Sequence, residues 1–242
     1  MSDRRAPDVS LVVPVYNERE NLAPLVAEIA AALAGTHYEI VAVDDGSTDG
    51  SLTELKRLKG LLNELHVVAF ERNAGQSAAF VAGFRAARGR AIVTLDADLQ
   101  NDPRDVPALL AELARSGAAC VAGYRADRRD TPWKRLQSRI ANGVRNWLTR
   151  ETIRDTGCSL KAFRADAVRA LPAFNGMHRF LPTLIRRDGG LVAEVPVGHR
   201  PRRFGTTKYG MWNRVFRALA DAFGVRWLLR RRLRYRVREE LP

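Results

Sequence analysis

The 242-residue chain contains no run of eighteen uncharged apolar residues, so as written it holds no segment fit to span a bilayer. Its opening residues, Met1 to Asp8, are polar and lack the apolar centre of a secretory leader. Cysteine is scarce. Cys120 and Cys158 stand alone and make no metal-ligand spacing. Cys120 lies in an apolar, strand-like run, which favours a buried thiol over a disulfide half and makes a reducing, cytoplasmic compartment the default. Internal repeats and low-complexity linkers are also missing, so nothing splits the chain into separate domains.

Acidic residues are short in one half only. Residues 1–120 hold 12 basic and 17 acidic side chains, whereas residues 121–242 hold 28 basic and 10 acidic ones, for a net charge of +13. This polarity points to an anionic partner for the second half: phospholipid, a phosphate substrate or nucleic acid. The hydrophobic content of 46% is that of an ordinary globular protein, and the length suits one sizeable α/β domain with or without a short appendage.

Short apolar runs alternate with amphipathic stretches. Leu11–Val15, Ile40–Val43, His66–Ala69, Ala91–Leu95 and Cys120–Ala122 read as buried strands, and residues 157–163 and 191–197 are candidates for two more. Residues 21–34, 51–62, 75–88 and 104–116 carry Ala, Leu, Glu and Arg at helical spacing. Crossovers of this length predict an α/β fold: a mostly parallel central sheet with helices on both faces. In such sheets ligands bind outside the carboxyl ends of the strands.

Three predicted strands run into polar residues there: Tyr16-Asn17-Glu18, Asp44-Asp45-Gly46-Ser47 and Asp96-Ala97-Asp98-Leu99-Gln100. Five carboxylates on one sheet edge repel one another unless water separates them or a cation joins them, which makes a bound metal a candidate. In extended backbone, Asp96 and Asp98 face one side, and Gln100 continues the series if the extension holds. Hard oxygen ligands of this kind suit Mg²⁺ or Mn²⁺. The bland alternative is a solvated turn ahead of a helix capped by Asp102, with Pro103 at its start. Asp44–Gly50 is equally compatible with a simple strand-to-helix turn, or with Asp45 accepting hydrogen bonds from a nucleoside. Tyr16 offers a ring for base stacking and Glu18 an acceptor, though either also suits the core edge.

Taken together, Pro14-Val15-Tyr16-Asn17-Glu18, Asp44-Asp45-Gly46-Ser47-Thr48-Asp49 and Asp96-Ala97-Asp98 resemble the GT-A glycosyltransferases of family 2. Asn73-Ala74-Gly75, Gly123-Tyr124-Arg125 and Arg202-Arg203-Phe204-Gly205-Thr206-Thr207-Lys208-Tyr209 extend the resemblance. Within that family they are most similar to the polyprenyl-phosphate group, which includes dolichol-phosphate mannose synthases. The likeness covers roughly residues 9 to 210, and Thr206-Thr207 departs mildly from the usual residues ahead of the Lys.

The resemblance implies a metal-dependent, inverting transferase that moves a sugar from a nucleotide diphosphate (GDP-mannose or a UDP-sugar) to a polyprenyl phosphate. Pro14, Tyr16, Glu18, Val43 and Asp45 would line the nucleotide pocket. Asp96 and Ala97 would border the ribose and diphosphate, with Asp96, Asp98 and Gln100 as the metal set. Arg125, Arg202 and Lys208 would contact phosphates, chemistry that suits guanidinium forks and an ammonium. Asp155, in Asp155-Thr156-Gly157-Cys158, matches an acid near the acceptor in relatives. It is open whether it serves as a catalytic base, as an acceptor-orienting group or in a structural turn.

Two stretches carry basic, Trp-bearing amphipathic patterns. Trp133, Leu136, Ile140, Val144 and Trp147 share one helical face among five Lys and Arg residues. Trp212, Val215, Phe216, Leu219, Phe223 and Trp227 do so ahead of an Arg-rich terminus. Both patterns suit the headgroup boundary of an anionic membrane. Helices packed on the sheet with a solvated rim, or a basic tail, explain them as well. The expected organisation is therefore a GT-A domain over residues 1–205 and a basic amphipathic membrane-surface tail over 206–242. Its expected location is peripheral, on the cytoplasmic membrane face, without a transmembrane helix. The rival readings are a soluble transferase acting on a glycan hydroxyl and, more distantly, a nucleic-acid-binding protein. No nucleic-acid module is recognisable, so no nucleic-acid partner is expected.

Overall fold

The computed structural model describes residues 6–126, 143, 153–201, 211–231 and 239, with the side chains of 211–219 outside the description. Seven strands form one sheet in the order β3-β2-β1-β4-β6-β5-β7. They are β1 (Val9–Val15), β2 (Tyr38–Asp44), β3 (Leu65–Ala69), β4 (Ala91–Thr94), β5 (Cys120–Arg125), β6 (Lys161–Arg164) and β7 (Val192–Val197). Between and after them lie α1 (Arg19–Ala32), α2 (Ser51–Lys59), α3 (Gln76–Ala86), α4 (Val106–Ser116), α5 (Ala165–Arg169), α6 (Leu181–Arg187) and α7 (Met211–Arg230). Neighbouring strands run parallel except at β6, which is antiparallel to both β4 and β5. The mostly parallel sheet expected from the sequence is present.

Strand alternation sorts the apolar side chains onto two faces. Leu11, Val13, Val15, Ile40, Ala42 and Val93 pack under α1, α2 and α4, through Leu22, Leu25, Ile29, Leu55, Leu58, Val106 and Leu109. Val12, Val41, Val43, Ile92 and Phe163 pack under α3, α5 and α6, through Phe80, Phe84, Val168, Leu184 and Ile185. Burying each such side chain contributes about 1.5–3 kcal/mol, so both layers stabilise the sheet they cover. Ala222 and Val225 of α7 are buried against the second layer, and Asp221 pairs with Arg179 at 2.7 Å.

Boundaries moved where local chemistry intervened. The helix expected to reach residue 62 ends at Lys59, where Gly60 and Leu61 tighten into i→i−3 turns on Arg57 and Leu58. The helix expected from residue 104 begins as a 3₁₀ turn, Pro103–Asp105, capped by the Asp102 side chain on Arg104 N. β6 begins at Lys161 rather than 157, and residues 156–157 turn ahead of it. Both cysteines are buried and free. No described helix is long and apolar enough to cross a membrane.

The order β3-β2-β1-β4 reverses direction between β1 and β2 on one side and β4 on the other. The carboxyl ends of β1, β2 and β4 therefore open onto a topological switch point, where α/β sheets bind ligands.

Candidate functional site

The first two polar strand ends are tied to each other. Asn17 takes a left-handed φ of 54°, which Asn tolerates better than most residues. Its Oδ1 accepts from Thr48 N at 2.7 Å, and its own N–H donates to Ser47 Oγ at 3.0 Å. Glu18 N donates to Ser51 Oγ and Arg19 N to Asp49 Oδ2, so the loop after β2 also caps the start of α1. Gly46, at φ 67°, passes so close to residues 72 and 73 that a Cβ would lie 2.5 Å from Arg72 C. Only glycine fits that crossing.

The two adjacent aspartates divide their work. Asp45 accepts from Ala74 N at 2.6 Å, Gly75 N at 2.9 Å and Asn73 Nδ2 at 3.0 Å, so it organises the Asn73-Ala74-Gly75 loop. Asp44 is 1% exposed. Its Oδ2 accepts from Ser47 N, while its Oδ1 is buried with no hydrogen-bond partner. A buried acceptor left unsatisfied costs about 1–3 kcal/mol, and such groups cluster at functional sites. Sequence reasoning placed Asp45 at the nucleoside; in the structure Asp45 holds the 73–75 loop, and the buried unpaired oxygen is Asp44 Oδ1. The signal was present in the sequence only as an Asp-Asp pair with no way to tell its members apart.

Asp96 and Asp98 follow β4 directly. Asp98 is 8% exposed and Asp96 more open, with Asp96 Oδ1 accepting from Gln76 Nε2 at 3.0 Å. The extended series expected through Gln100 does not form. Residues 97 and 98 turn, and Leu99 adopts φ 62°. Asp98 Oδ1 then accepts from Gln100 N at 3.2 Å, so alternation no longer places Gln100 beside the two carboxylates. Among the described residues, no group of three His, Cys, Asp or Glu side chains is arranged to hold a metal. Two hard carboxylates nevertheless fit Mg²⁺ or Mn²⁺, which keep waters and take substrate phosphates as their remaining ligands.

Of the other expected residues, Pro14, Tyr16 and Glu18 lie partly exposed at the end of β1, and Glu18 Oε2 accepts from Asn21 Nδ2 at 2.6 Å. Val43 and Ala97 are buried, Val43 completely, so the Val43 side chain has no surface to offer a ligand. Arg202 and Lys208 lie outside the described residues, as does the 133–150 pattern.

Arg125 and Asp155 are brought together. Arg125 Nε and Nη2 reach Asp155 Oδ2 and Oδ1 at 2.6 and 2.9 Å. Arg125 N and Gly157 N add 3.3 and 3.2 Å bonds to the same carboxylate. A carboxylate offers about four lone-pair sites, and four donors occupy them. That geometry leaves no open acceptor for a general base.

Sequence reading missed a further pair. Ser77, at the start of α3, accepts from Gly176 N at 2.9 Å and lies 2.7 Å from His178 Nδ1. The Ser77 hydroxyl and the imidazole therefore share one hydrogen bond, and Ser77 also holds the backbone at Gly176. Burial pushes the His178 pKa down to about 3, with the Arg179 and Lys161 charges adding to the shift. The unfolded chain takes up this proton near pH 6.5 and the folded chain only near 3, so stability is complete above pH 6.5 and falls on acidification below it. Denaturant midpoints measured from pH 7 to 4 are expected to drop steadily for the wild type and to flatten in His178→Gln. An equal slope in both would remove His178 from the account.

A family model described as glycosyl transferase family 2 matches residues 10–171. The chain is 37% identical over 233 residues to a dodecaprenyl-phosphate galacturonate synthase of Rhizobium johnstonii, covering 94% of this chain and 69% of that protein. It is 39% identical over 208 residues to an undecaprenyl-phosphate 4-deoxy-4-formamido-L-arabinose transferase of Edwardsiella ictaluri, covering 84% and 63%. The chain thus spans about two thirds of the length of these relatives. Among solved structures, it superposes on a glucosyl-3-phosphoglycerate synthase of Mycobacterium tuberculosis in complex with Mn²⁺, UDP and phosphoglyceric acid. The TM-score is 0.70 at 22% identity, with 90% of this chain and 79% of that one covered. A mannosyltransferase of Pyrobaculum calidifontis in complex with GDP-mannose and Mn²⁺ gives 0.60 at 22% identity, covering 80% and 56%. These likenesses bear out the GT-A fold expected from the motifs. With the model matching most of the sheet and relatives this similar along nearly the whole length, the chain belongs to glycosyl transferase family 2.

Proposed function

We propose that the protein transfers a sugar from a nucleotide diphosphate to a polyprenyl phosphate at a membrane surface. The observation that supports this reading is the placement of Asp44, Asp96 and Asp98 at or just past the carboxyl ends of β2 and β4, on the sheet edge where the strand order reverses. Two relatives named for polyprenyl-phosphate transfer support the choice of acceptor. In this reading Asp45 stays at the nucleoside end of the site, where it also holds the Asn73-Ala74-Gly75 loop. Asp96 and Asp98 bind Mg²⁺ or Mn²⁺, with Gln100 drawn in by family resemblance rather than by strand alternation. The cation supplies positive charge against the departing diphosphate. Arg125, oriented by Asp155, is assigned to phosphate, as are Arg202 and Lys208.

An acceptor phosphate oxygen is already ionised near neutral pH and needs no strong base to attack the anomeric carbon. Occupation of Asp155 by Arg125 is consistent with such an acceptor and less so with a sugar hydroxyl. The direct test incubates the 242-residue protein with Mn²⁺, radiolabelled nucleotide sugars and undecaprenyl phosphate in vesicles. Label is expected in the lipid fraction. Transfer only to a glycan hydroxyl, with none to lipid, would overturn the acceptor.

The helix α7 extends this reading to the membrane, and with it the division into a domain over 1–205 and a tail over 206–242. While Ala222 and Val225 face the core, Phe223 and Trp227 are 60% and 59% exposed, and Arg231 lies 4.9 Å over the Trp227 ring. Outward aromatic residues one helical turn apart beside Arg226, Arg230 and Arg231 suit an anionic headgroup layer. Replacing Phe223 and Trp227 together by Glu is expected to lower binding to phosphatidylglycerol vesicles by about tenfold or more in co-sedimentation. Neutral phosphatidylcholine vesicles should bind the wild type less; equal binding of wild type and variant to both would sink the surface assignment.

A further inference from the structure

The turn that carries Asp98 is strained. Leu99, a non-glycine residue at φ 62°, sits in the left-handed region, which costs of order 1–3 kcal/mol and persists only where surrounding structure holds it. Three sets of contacts do so. Leu99 itself is buried at 1% exposure. Asn101, also buried, accepts from Ser159 Oγ at 2.6 Å, tying the turn to the segment before β6. The third tie comes from Arg200, three residues past β7, and it is the one built from ions.

Arg200 N donates to the Gln100 carbonyl at 2.9 Å. Its guanidinium divides between two carboxylates, Nη2 on Asp102 Oδ2 at 2.5 Å and Nη1 on Glu28 Oε2 at 2.7 Å. Asp102 in turn caps the 3₁₀ turn that follows, and Glu28 belongs to α1, whose apolar face is locked under the sheet. Gly198 N donates to Asp105 Oδ2 at 2.8 Å, a second staple beside the first. Arg200 thus joins α1, the exit of the D-x-D turn and the chain leaving β7. All three side chains of the clamp are largely shielded, at 22%, 27% and 12% exposure for Arg200, Glu28 and Asp102.

We infer that Arg200 is a positioning residue, clamped through Glu28 and Asp102, which holds the strained turn so that Asp98 faces the divalent cation. The inference rests on the metal reading proposed above. It goes beyond that reading because Arg200 touches neither metal nor substrate and acts only through the turn. A planar fork is required, since one guanidinium must reach two carboxylates in different elements at once.

The test measures Mn²⁺ binding to the full 242-residue protein by electron paramagnetic resonance, in the presence of UDP and separately of GDP. Arg200→Met is expected to weaken Mn²⁺ binding about tenfold, the scale of losing an outer-shell partner of a metal site. Arg200→Lys should restore part of it, because the charge stays and the fork does not. Asp98→Ala serves as the reference that loses binding altogether. Wild-type Mn²⁺ affinity in Arg200→Met, beside lost binding in Asp98→Ala, would overturn the clamp and leave the metal site standing. Undiminished Mn²⁺ binding in Asp98→Ala would overturn the metal reading and the clamp with it. Should Arg200→Met fail to fold, Glu28→Gln keeps two of the three contacts and is expected to weaken Mn²⁺ binding a few-fold; wild-type affinity there would also overturn the clamp.

Discussion

Replacing Asp98 by Ala is expected to abolish metal-dependent sugar transfer, lowering kcat/KM by roughly 10³-fold or more. The expectation follows from where the carboxylate sits. Asp98 is nearly buried, within the turn that follows a strand in the middle of the sheet, and its Oδ1 accepts a 3.2 Å bond from Gln100 N. A nearly buried carboxylate at the carboxyl end of the sheet suits a divalent cation, whose charge offsets the cost of burying the anion. Asp98→Asn separates the two reasons for loss: the amide keeps the shape and one acceptor but not the charge. If charge is what counts, Asn falls close to Ala, and raising Mn²⁺ recovers little. Initial rates at several Mn²⁺ concentrations, with circular dichroism to check the fold, decide the matter. Full activity in Asp98→Ala would remove the metal from this pair.

Much of the fold was legible because strand and helix periodicities are local. The runs at Leu11–Val15, Ile40–Val43 and Ala91–Leu95 each found their strand within a residue or two. The carboxyl-end rule then pointed, without any coordinates, to the edge where the three polar motifs lie in the structure. What stayed hidden depends on contacts between distant residues or on single dihedral angles. Nothing in Asp44-Asp45 says which member meets the 73–75 loop, since both types of contact need only a carboxylate. The left-handed Leu99 breaks the alternation that had drawn Gln100 towards the metal, and no sequence propensity marks a leucine for that region. Ser77 and His178 are 101 positions apart, and Arg200 and Glu28 172. Pairs at such separations are made by topology, after the sheet order is set. The outward face of α7 was legible at Phe223 and Trp227, because their four-residue spacing is a helical one.

Asp155 is held differently from what its position in the motif invites. An acid beside an acceptor site reads as a base. Here its oxygens receive Arg125 Nε, Nη2 and N together with Gly157 N, in a pair whose side chains are 14% and 11% exposed. Breaking a pair this enclosed by removing one partner leaves a buried charge uncompensated, at a cost of about 3–5 kcal/mol. Asp155→Ala is therefore expected to lower both stability and turnover, and it distinguishes nothing by itself. The informative set is Asp155→Asn, Arg125→Gln and the double variant. If Asp155 acts by aiming Arg125 at phosphate, each single change lowers kcat/KM by about 10²-fold and the double change is scarcely worse, because both remove one shared device. The pH–rate profile of Asp155→Asn then keeps the shape of the wild type at a lower level. A catalytic base predicts otherwise: its removal takes away the acid limb of the profile, and the loss multiplies with that of Arg125. Multiplicative losses together with a vanished acid limb would return Asp155 to the role of base; overlapping losses with an unchanged limb make it the residue that fixes where the guanidinium points.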